Sequence, residues 1–136
     1  MTILVGYLPT PEGEAAVDAG LREGRLRGER VIIVNSPRRG APVDERKIDD
    51  AAGTELLRRA REAGVDAELR QPLHDDDLPE TFEELVRESG GTLIVIGLRH
   101  RSLVGKFILG SEAQRILMEA SVPVLTVKAP AVRAEL

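Results

Sequence analysis

Four short apolar runs, spread along the chain and separated by longer amphipathic segments, constrain the fold most strongly. They occupy residues 3–7, 31–34, 93–96 and 124–127, and each is rich in β-branched side chains. Runs of this length are too short for helices and are typical of strands covered on both faces of a parallel sheet. Residues 65–70 instead alternate apolar and polar side chains, which predicts an edge strand with one face in solvent.

Segments with helical spacing lie between these strands. Apolar stripes predict helices over residues 44–63, 78–89 and 111–120, and the second of these stops at a glycine pair. Asp77 and Glu80 have the spacing of a capping box ahead of that helix. Three helices are therefore predicted downstream of the second strand.

The remaining helix follows the first strand. Its predicted start has Thr10 as the cap and Pro11 as the first helical residue, because proline is favoured at that position. Gly13 and Gly20 weaken its interior, since glycine is a poor helix former.

Strands and helices thus alternate regularly along one domain, residues 1–129, followed by a short tail over residues 130–136. Regular alternation with short connections predicts a doubly wound α/β fold, with a five-stranded parallel sheet, right-handed crossovers and helices on both faces. The chain has 136 residues, which leaves little for a second domain.

Composition excludes several classes of function. The net charge is −4, whereas a general nucleic-acid binder needs a surplus of cations. The chain has no cysteine, and no apolar run approaches the roughly 20 residues of a membrane span. We expect a cytoplasmic protein that binds neither nucleic acid nor membrane.

Residues 97–111 carry the clearest functional signal. Gly97 directly follows a predicted strand, and Gly110 and Ser111 open a helix whose first N–H groups are unpaired. Such a helix terminus attracts phosphate, and Arg99 and the basic residues after it add positive charge. Ligands of open parallel sheets bind beyond the carboxyl ends of the strands, which is where this segment lies.

The same segment resembles the glycine motif of the universal stress proteins. That motif is Gly, two residues, Gly, nine residues, and Gly followed by Ser or Thr. Gly97, Gly110 and Ser111 fit it, while His100 takes the place of the second glycine. The ending ASVPVLTVK is also similar to the last helix and strand of the family. The resemblance implies the strand order 3-2-1-4-5 and binding of ATP or another adenine nucleotide, with or without Mg²⁺.

Carried over position by position, the resemblance implies a nucleotide site along three loops. Leu8 stands where ATP-binding relatives have an aspartate, and Val34 matches the position whose backbone meets adenine. Histidine tolerates a positive φ, so His100 can keep the loop shape; its imidazole then donates to a phosphate, fills the place of one, or lies in solvent. The implied nucleotide-binding residues are Leu8, Pro9, Thr10, Val34, Ile96, Gly97, Arg99, His100, Arg101, Gly110, Ser111 and Glu112.

The family resemblance also implies a homodimer. In that family, the last strand commonly pairs with its copy in a second subunit. Here that strand would contain Val124, Leu125 and Val127. A regulatory role in the stress response, through an unidentified protein partner, follows from the same resemblance.

Two other functions stay open. The first is a dimeric interaction module of the same fold that no longer binds nucleotide, which Leu8 and His100 motivate. The second is a metal-dependent phosphate enzyme based on the cluster at residues 74–77, although acidic residues before a helix more often cap it. No nucleophile with a base and an orienting group is visible, so we expect no catalytic residues and at most weak ATP hydrolysis.

Overall fold

The computed structural model describes residues 1–35, 48–72, 77–101 and 106–129, with the backbone alone at 100, 101 and 106–108. Strands and helices alternate as predicted. In chain order the elements are β1 (Thr2–Tyr7), α1 (Pro11–Arg27), β2 (Arg30–Asn35), α2 (Asp50–Glu62), β3 (Ala67–Arg70), α3 (Leu78–Ser89), β4 (Gly91–Arg101), β5 (Lys106–Ile108), α4 (Ser111–Glu119) and β6 (Val124–Lys128). The predicted tail, residues 130–136, lies outside the described residues.

The parallel strands have the order β3-β2-β1-β4-β6. This confirms the predicted order 3-2-1-4-5, with the last strand of the chain as the fifth parallel strand. Among the described strands, β3 pairs only with β2, which confirms its predicted edge position. The sixth strand, β5, pairs antiparallel with the far end of β4 and was not predicted.

The two faces of the sheet form two separate cores. Alternate side chains of β1 point in opposite directions, so Ile3 and Val5 pack with α1 and α2, while Leu4 packs with α3 and α4. All three side chains are fully buried. Helices therefore cover both faces, as the doubly wound fold requires.

The first helix begins as predicted. The Thr10 side chain accepts a hydrogen bond of 3.1 Å from the N–H of Gly13, and Pro11 occupies the first turn. The helix runs unbroken through Gly20, where a Cβ atom would lie 2.3 Å from Cγ2 of Val5. Glycine at this position therefore lets α1 pack close to β1, which offsets its low helix propensity.

Two predictions about helix starts are wrong. α2 begins at Asp50 with Asp49 as its cap, rather than at residue 44, and residues 44–47 lie outside the described residues. The Asp77 side chain makes no capping hydrogen bond to α3. It instead forms an ion pair of 2.7 Å with Arg115 of α4. The capping box fails because a cation on the neighbouring helix takes the carboxylate.

Among the described helices, none combines the length and the apolar character that a membrane-spanning helix needs.

Candidate functional site

A cleft lies at the carboxyl ends of β1, β2 and β4, between the start of α1 on one side and α3 and α4 on the other. It encloses about 140 Å³. The predicted residues that line it are Leu8, Thr10, Val34, Ile96, Gly97, Arg99, Gly110, Ser111 and Glu112. Pro9 is exposed and does not line it, and the side chains of His100 and Arg101 lie outside what the structure describes.

The inner part of the cleft is apolar. Val34, Phe82 and Ile96 are almost fully buried there, at the ends of strands or on the inner face of α3. A Cβ atom at Gly6 would lie 3.3 Å from Cγ2 of Ile96 and 3.5 Å from Cζ of Phe82, so the missing side chain keeps this floor open. Lining residues that the sequence did not assign to the site are Gly6, Tyr7, Glu12, Gly13, Leu78, Phe82, Ala113 and Ile116.

A signal for some of these residues was present in the sequence. Leu78, Phe82, Ala113 and Ile116 belong to the apolar stripes from which α3 and α4 were predicted. A stripe indicates only which side of a helix is buried, so it could not distinguish core residues from cleft residues.

The outer part of the cleft lies beside a β-hairpin. β4 continues past the cleft to residue 101, and Arg99 and His100 pair with Ile108 and Phe107 of β5. His100 does not use the positive φ that histidine tolerates: its backbone is part of strand β4, and no non-glycine residue in the described ranges has a positive φ. The hairpin pairing takes up the backbone groups that an open loop would leave free.

Gly97 and Gly110, the two ends of the motif, have different surroundings. A Cβ at residue 97 would lie 2.2 Å from the carbonyl oxygen of Glu12, in the first turn of α1. At residue 110 the nearest atom would be Nη2 of Arg99, at 4.0 Å. Gly97 is therefore required for packing, whereas the space in front of Gly110 is open toward the cleft.

The first turn of α4 forms the polar end of the cleft. Gly110 is its cap residue, and no side chain caps the helix. The first N–H groups of a helix have no partner within it and carry the positive end of its dipole. With the Arg99 guanidinium close by, this end of the cleft favours an anionic group.

Tyr7 connects the cleft to the opposite face of the sheet. Its hydroxyl donates a hydrogen bond of 2.6 Å to Oε2 of Glu14, and Arg59 donates to the other oxygen of Glu14 at 2.6 Å and to Asp18 at 2.7 Å. Burial raises the pKa of Tyr7 well above its ordinary value, and the hydrogen bond to Glu14 raises it further. The network ties the end of β1 to both α1 and α2.

A buried amide fixes the neighbouring strand end. Asn35 is fully buried, and its Nδ2 donates to the carbonyl of Tyr7 at 3.1 Å. Its Oδ1 accepts from the N–H of Ile48 and from Gln71, each at 3.0 Å. These bonds hold the chain beside Val34 in one conformation.

Metal ligands do not converge in the part of the chain that the structure describes: no group of three or more His, Asp or Glu side chains could hold an ion there. Of the predicted acidic cluster, residues 74–76 lie outside the described residues. Asp77, its last member, forms the ion pair with Arg115.

Comparison with known proteins identifies relatives over nearly the whole chain. A family model described as the universal stress protein family matches residues 1–128. A universal stress protein of Mycolicibacterium smegmatis is 38% identical over 126 residues, which is 93% of this chain and 96% of that protein.

Solved structures show the same similarity. The structure of a universal stress protein from Archaeoglobus fulgidus matches with a TM-score of 0.73 and 28% identity, covering 94% of this chain and 98% of that one. A structure of the universal stress protein from the same organism in complex with dAMP matches with a TM-score of 0.65 and 25% identity, again over 94% and 98% of the two chains.

Proposed function

Because this chain belongs to the universal stress protein family, we propose that its cleft binds an adenine nucleotide, with ATP as the principal ligand. The observation that carries the proposal is a single cleft with an apolar inner end and a helix N-terminus at its outer end. A nucleotide has the same division into an apolar ring and an anionic phosphate chain.

The size of the cleft is consistent with a planar ring. The whole cleft, from Val34 and Ile96 to Gly110 and Ser111, has a volume of about 140 Å³, close to that of an engineered apolar cavity, about 150 Å³, that binds benzene. We place the base at the inner end, against Val34, Phe82 and Ile96, because these side chains are apolar. The ribose and phosphates then extend toward Gly110 and the first turn of α4.

The outer end supports a ligand with several phosphates. Arg99 lies beside the α4 N-terminus, and Arg101 and Lys106 follow on the paired strands of the hairpin. A triphosphate needs more than one cation, and Mg²⁺ would arrive bound to it. The relative solved with dAMP supports an adenine nucleotide as the ligand class.

We also propose that the protein acts as a homodimer through β6. This strand pairs with β4 on one side only among the described strands, and Leu125 is 37% exposed. Pairing of β6 with its copy would satisfy the free backbone groups and cover Val124, Leu125 and Val127. The proposed role in the stress response is regulatory: the dimer acts in the cytoplasm, and bound nucleotide changes the surface that a regulatory partner contacts.

The second candidate is an interaction module that has lost nucleotide binding. Two observations favour it: the side chain of Leu8 lines the cleft and cannot accept a hydrogen bond, and packing against α1 explains Gly97 without any ligand.

Calorimetric titration with ATP, with and without Mg²⁺, distinguishes nucleotide binding from the interaction module. We expect saturable heat with wild type and an affinity about 10- to 100-fold lower for Arg99→Ala, because a hydrogen bond to a charged group contributes roughly 1.5–3 kcal/mol. Arg25→Ala, an exposed arginine on α1 outside the cleft, is the matched control and should bind like wild type. No heat at millimolar ATP, and no nucleotide extracted from the purified protein, would favour the interaction module.

A further inference from the structure

A second groove lies between α1 and the last turn of α2, on the face of the sheet opposite α3 and α4. It has a volume of about 250 Å³. The residues that line it are Asp18, Leu21, Arg22, Arg25, Arg59 and Ala63. Three of these side chains carry a positive charge and one carries a negative charge, although the whole chain has a net charge of −4. The groove therefore concentrates positive charge on an acidic protein.

Two of the three arginines have no partner in the fold. Arg59 donates to Glu14 at 2.6 Å and to Asp18 at 2.7 Å, so its charge is already balanced. Arg22 and Arg25 are exposed, and within the described ranges neither forms an ion pair. Residues three apart on a helix lie on the same face. Both guanidinium groups can therefore reach one ligand in the groove.

The helix dipole accounts for only part of this charge. Cations are favoured in the last turn of a helix, and Arg25 and Arg27 lie in the last turn of α1. Arg22 lies before that turn, where the effect of the dipole has fallen off. Stabilisation of the helix end does not explain its position beside the groove.

The chemistry of the groove favours an acidic peptide as its occupant. Guanidinium groups bind carboxylates through paired, charge-assisted hydrogen bonds. Leu26 lies four residues after Arg22 on α1 and is 71% exposed, so an apolar side chain next to the carboxylates would have a contact here. A free phosphate ion has no such side chain. Asp18 and the net negative charge of the chain disfavour a nucleic acid.

We propose that the groove between α1 and α2 is a docking surface for an acidic peptide segment of a partner protein. Carboxylates of the peptide bind Arg22 and Arg25, and an apolar side chain packs on Leu26. Clusters of arginines recognise acidic motifs in this way. The groove begins at Asp18, whereas the nucleotide cleft meets the first turn of α1, so this inference does not depend on nucleotide binding.

Fluorescence anisotropy with a labelled peptide of four glutamates around one leucine tests the inference, in the absence of nucleotide. We expect saturable binding that weakens as salt rises from about 50 mM to about 500 mM, because exposed charges are screened. A control peptide with glutamine in place of each glutamate should not bind. A peptide with alanine in place of the leucine should bind more weakly than the original.

Substitutions in the groove should change the affinity in both directions. Exposed charge pairs each contribute a few-fold, so the double variant Arg22→Ala/Arg25→Ala should bind about 5- to 20-fold more weakly. Asp18→Asn should bind about 2- to 5-fold more tightly, because it removes a repelling carboxylate and releases a hydrogen bond of Arg59. A gain in affinity cannot result from a folding defect. Arg87→Ala, an exposed arginine on α3, is the matched control and should bind like wild type.

The opposing outcomes are equally distinct. The inference is wrong if wild type shows no saturable binding at about 1 mM protein, or if Arg87→Ala weakens binding as much as the double variant does. It is also wrong if inorganic phosphate displaces the peptide at the same molar concentration, since the groove would then recognise a single anion. None of these results bears on whether the cleft binds ATP.

Discussion

Alanine at residue 97 would place a methyl group inside the backbone of α1. The new Cβ would lie 2.2 Å from the carbonyl oxygen of Glu12, 2.7 Å from its carbonyl carbon and 2.9 Å from its Cβ. Two of these atoms are backbone in the first turn of a helix and cannot rotate away. The start of α1 must therefore move away from β4. Overpacking of this kind costs about 1–3 kcal/mol, and we expect the upper end, about 3 kcal/mol, for Gly97→Ala.

Alanine at residue 110 should have little effect. Gly110 has φ −62° and ψ 161°, which any residue adopts, and the nearest atom to a new Cβ is 4.0 Å away. Replacing glycine where no strain results contributes about 0.4–1 kcal/mol, because the unfolded chain loses conformational freedom, but alanine is a poorer N-cap residue than glycine, and this offsets the gain. The two variants should therefore differ by about 3 kcal/mol in free energy of unfolding, nearly all of it from Gly97→Ala.

Urea denaturation followed by far-ultraviolet circular dichroism measures this difference, and the chain has no tryptophan to follow by fluorescence. All variants are compared at one protein concentration, because dimerisation would make the midpoint depend on it. If Gly97→Ala unfolds within about 0.5 kcal/mol of wild type, α1 does not approach β4 as closely as described, and Gly97 becomes available as a ligand-binding glycine instead.

Three further predictions concern the cleft and the sheet edge. Gly110→Val should weaken ATP binding at least 10-fold while lowering the free energy of unfolding by no more than about 1 kcal/mol, the cost of a poorer N-cap residue; unchanged affinity would place the phosphates elsewhere. Tyr7→Phe should lower the free energy of unfolding by about 1 kcal/mol at neutral pH, because it removes the hydrogen bond to Glu14. The loss stays this small because half-exposed Glu14 can bond to water instead. Since burial raises the pKa of Tyr7 above its ordinary 10, the wild-type free energy of unfolding should fall above about pH 10, and Tyr7→Phe should fall less steeply in urea titrations. Leu125→Glu should give a monomer in light scattering. The matched control is Leu26→Glu, the same substitution at an exposed leucine on α1, which should leave the dimer intact.

Strand positions could be predicted because burial on both faces leaves a continuous apolar run. The run at residues 93–96 marked the centre of β4, and the alternation at residues 65–70 marked β3 as an edge. The outer end of β4 has no such signal. Residues 99–101 are Arg, His and Arg, and their strand conformation depends on pairing with β5 rather than on burial in the sheet.

The start of α2 and the cap of α3 were mispredicted for a related reason. Acidic residues are favoured in a first helical turn, so residues 44 and 45 resembled the start of a helix that begins at Asp50. Asp77 has the right spacing for a cap, but Arg115, distant in sequence, competes for its carboxylate. Local patterns do not include such tertiary partners.

Glycine spacing alone does not show which glycines of the motif face a ligand. A glycine is required wherever a Cβ atom cannot fit, whether the obstacle is a ligand or another part of the chain. Gly97 meets the α1 backbone and Gly110 meets open space, yet both fit the same motif. If the cleft binds nucleotide as proposed, the motif combines a position needed for folding with one that leaves the first turn of α4 accessible to the ligand. Selection for binding would act on Gly110 independently of stability, whereas Gly97 would be retained even in an interaction module that binds no nucleotide.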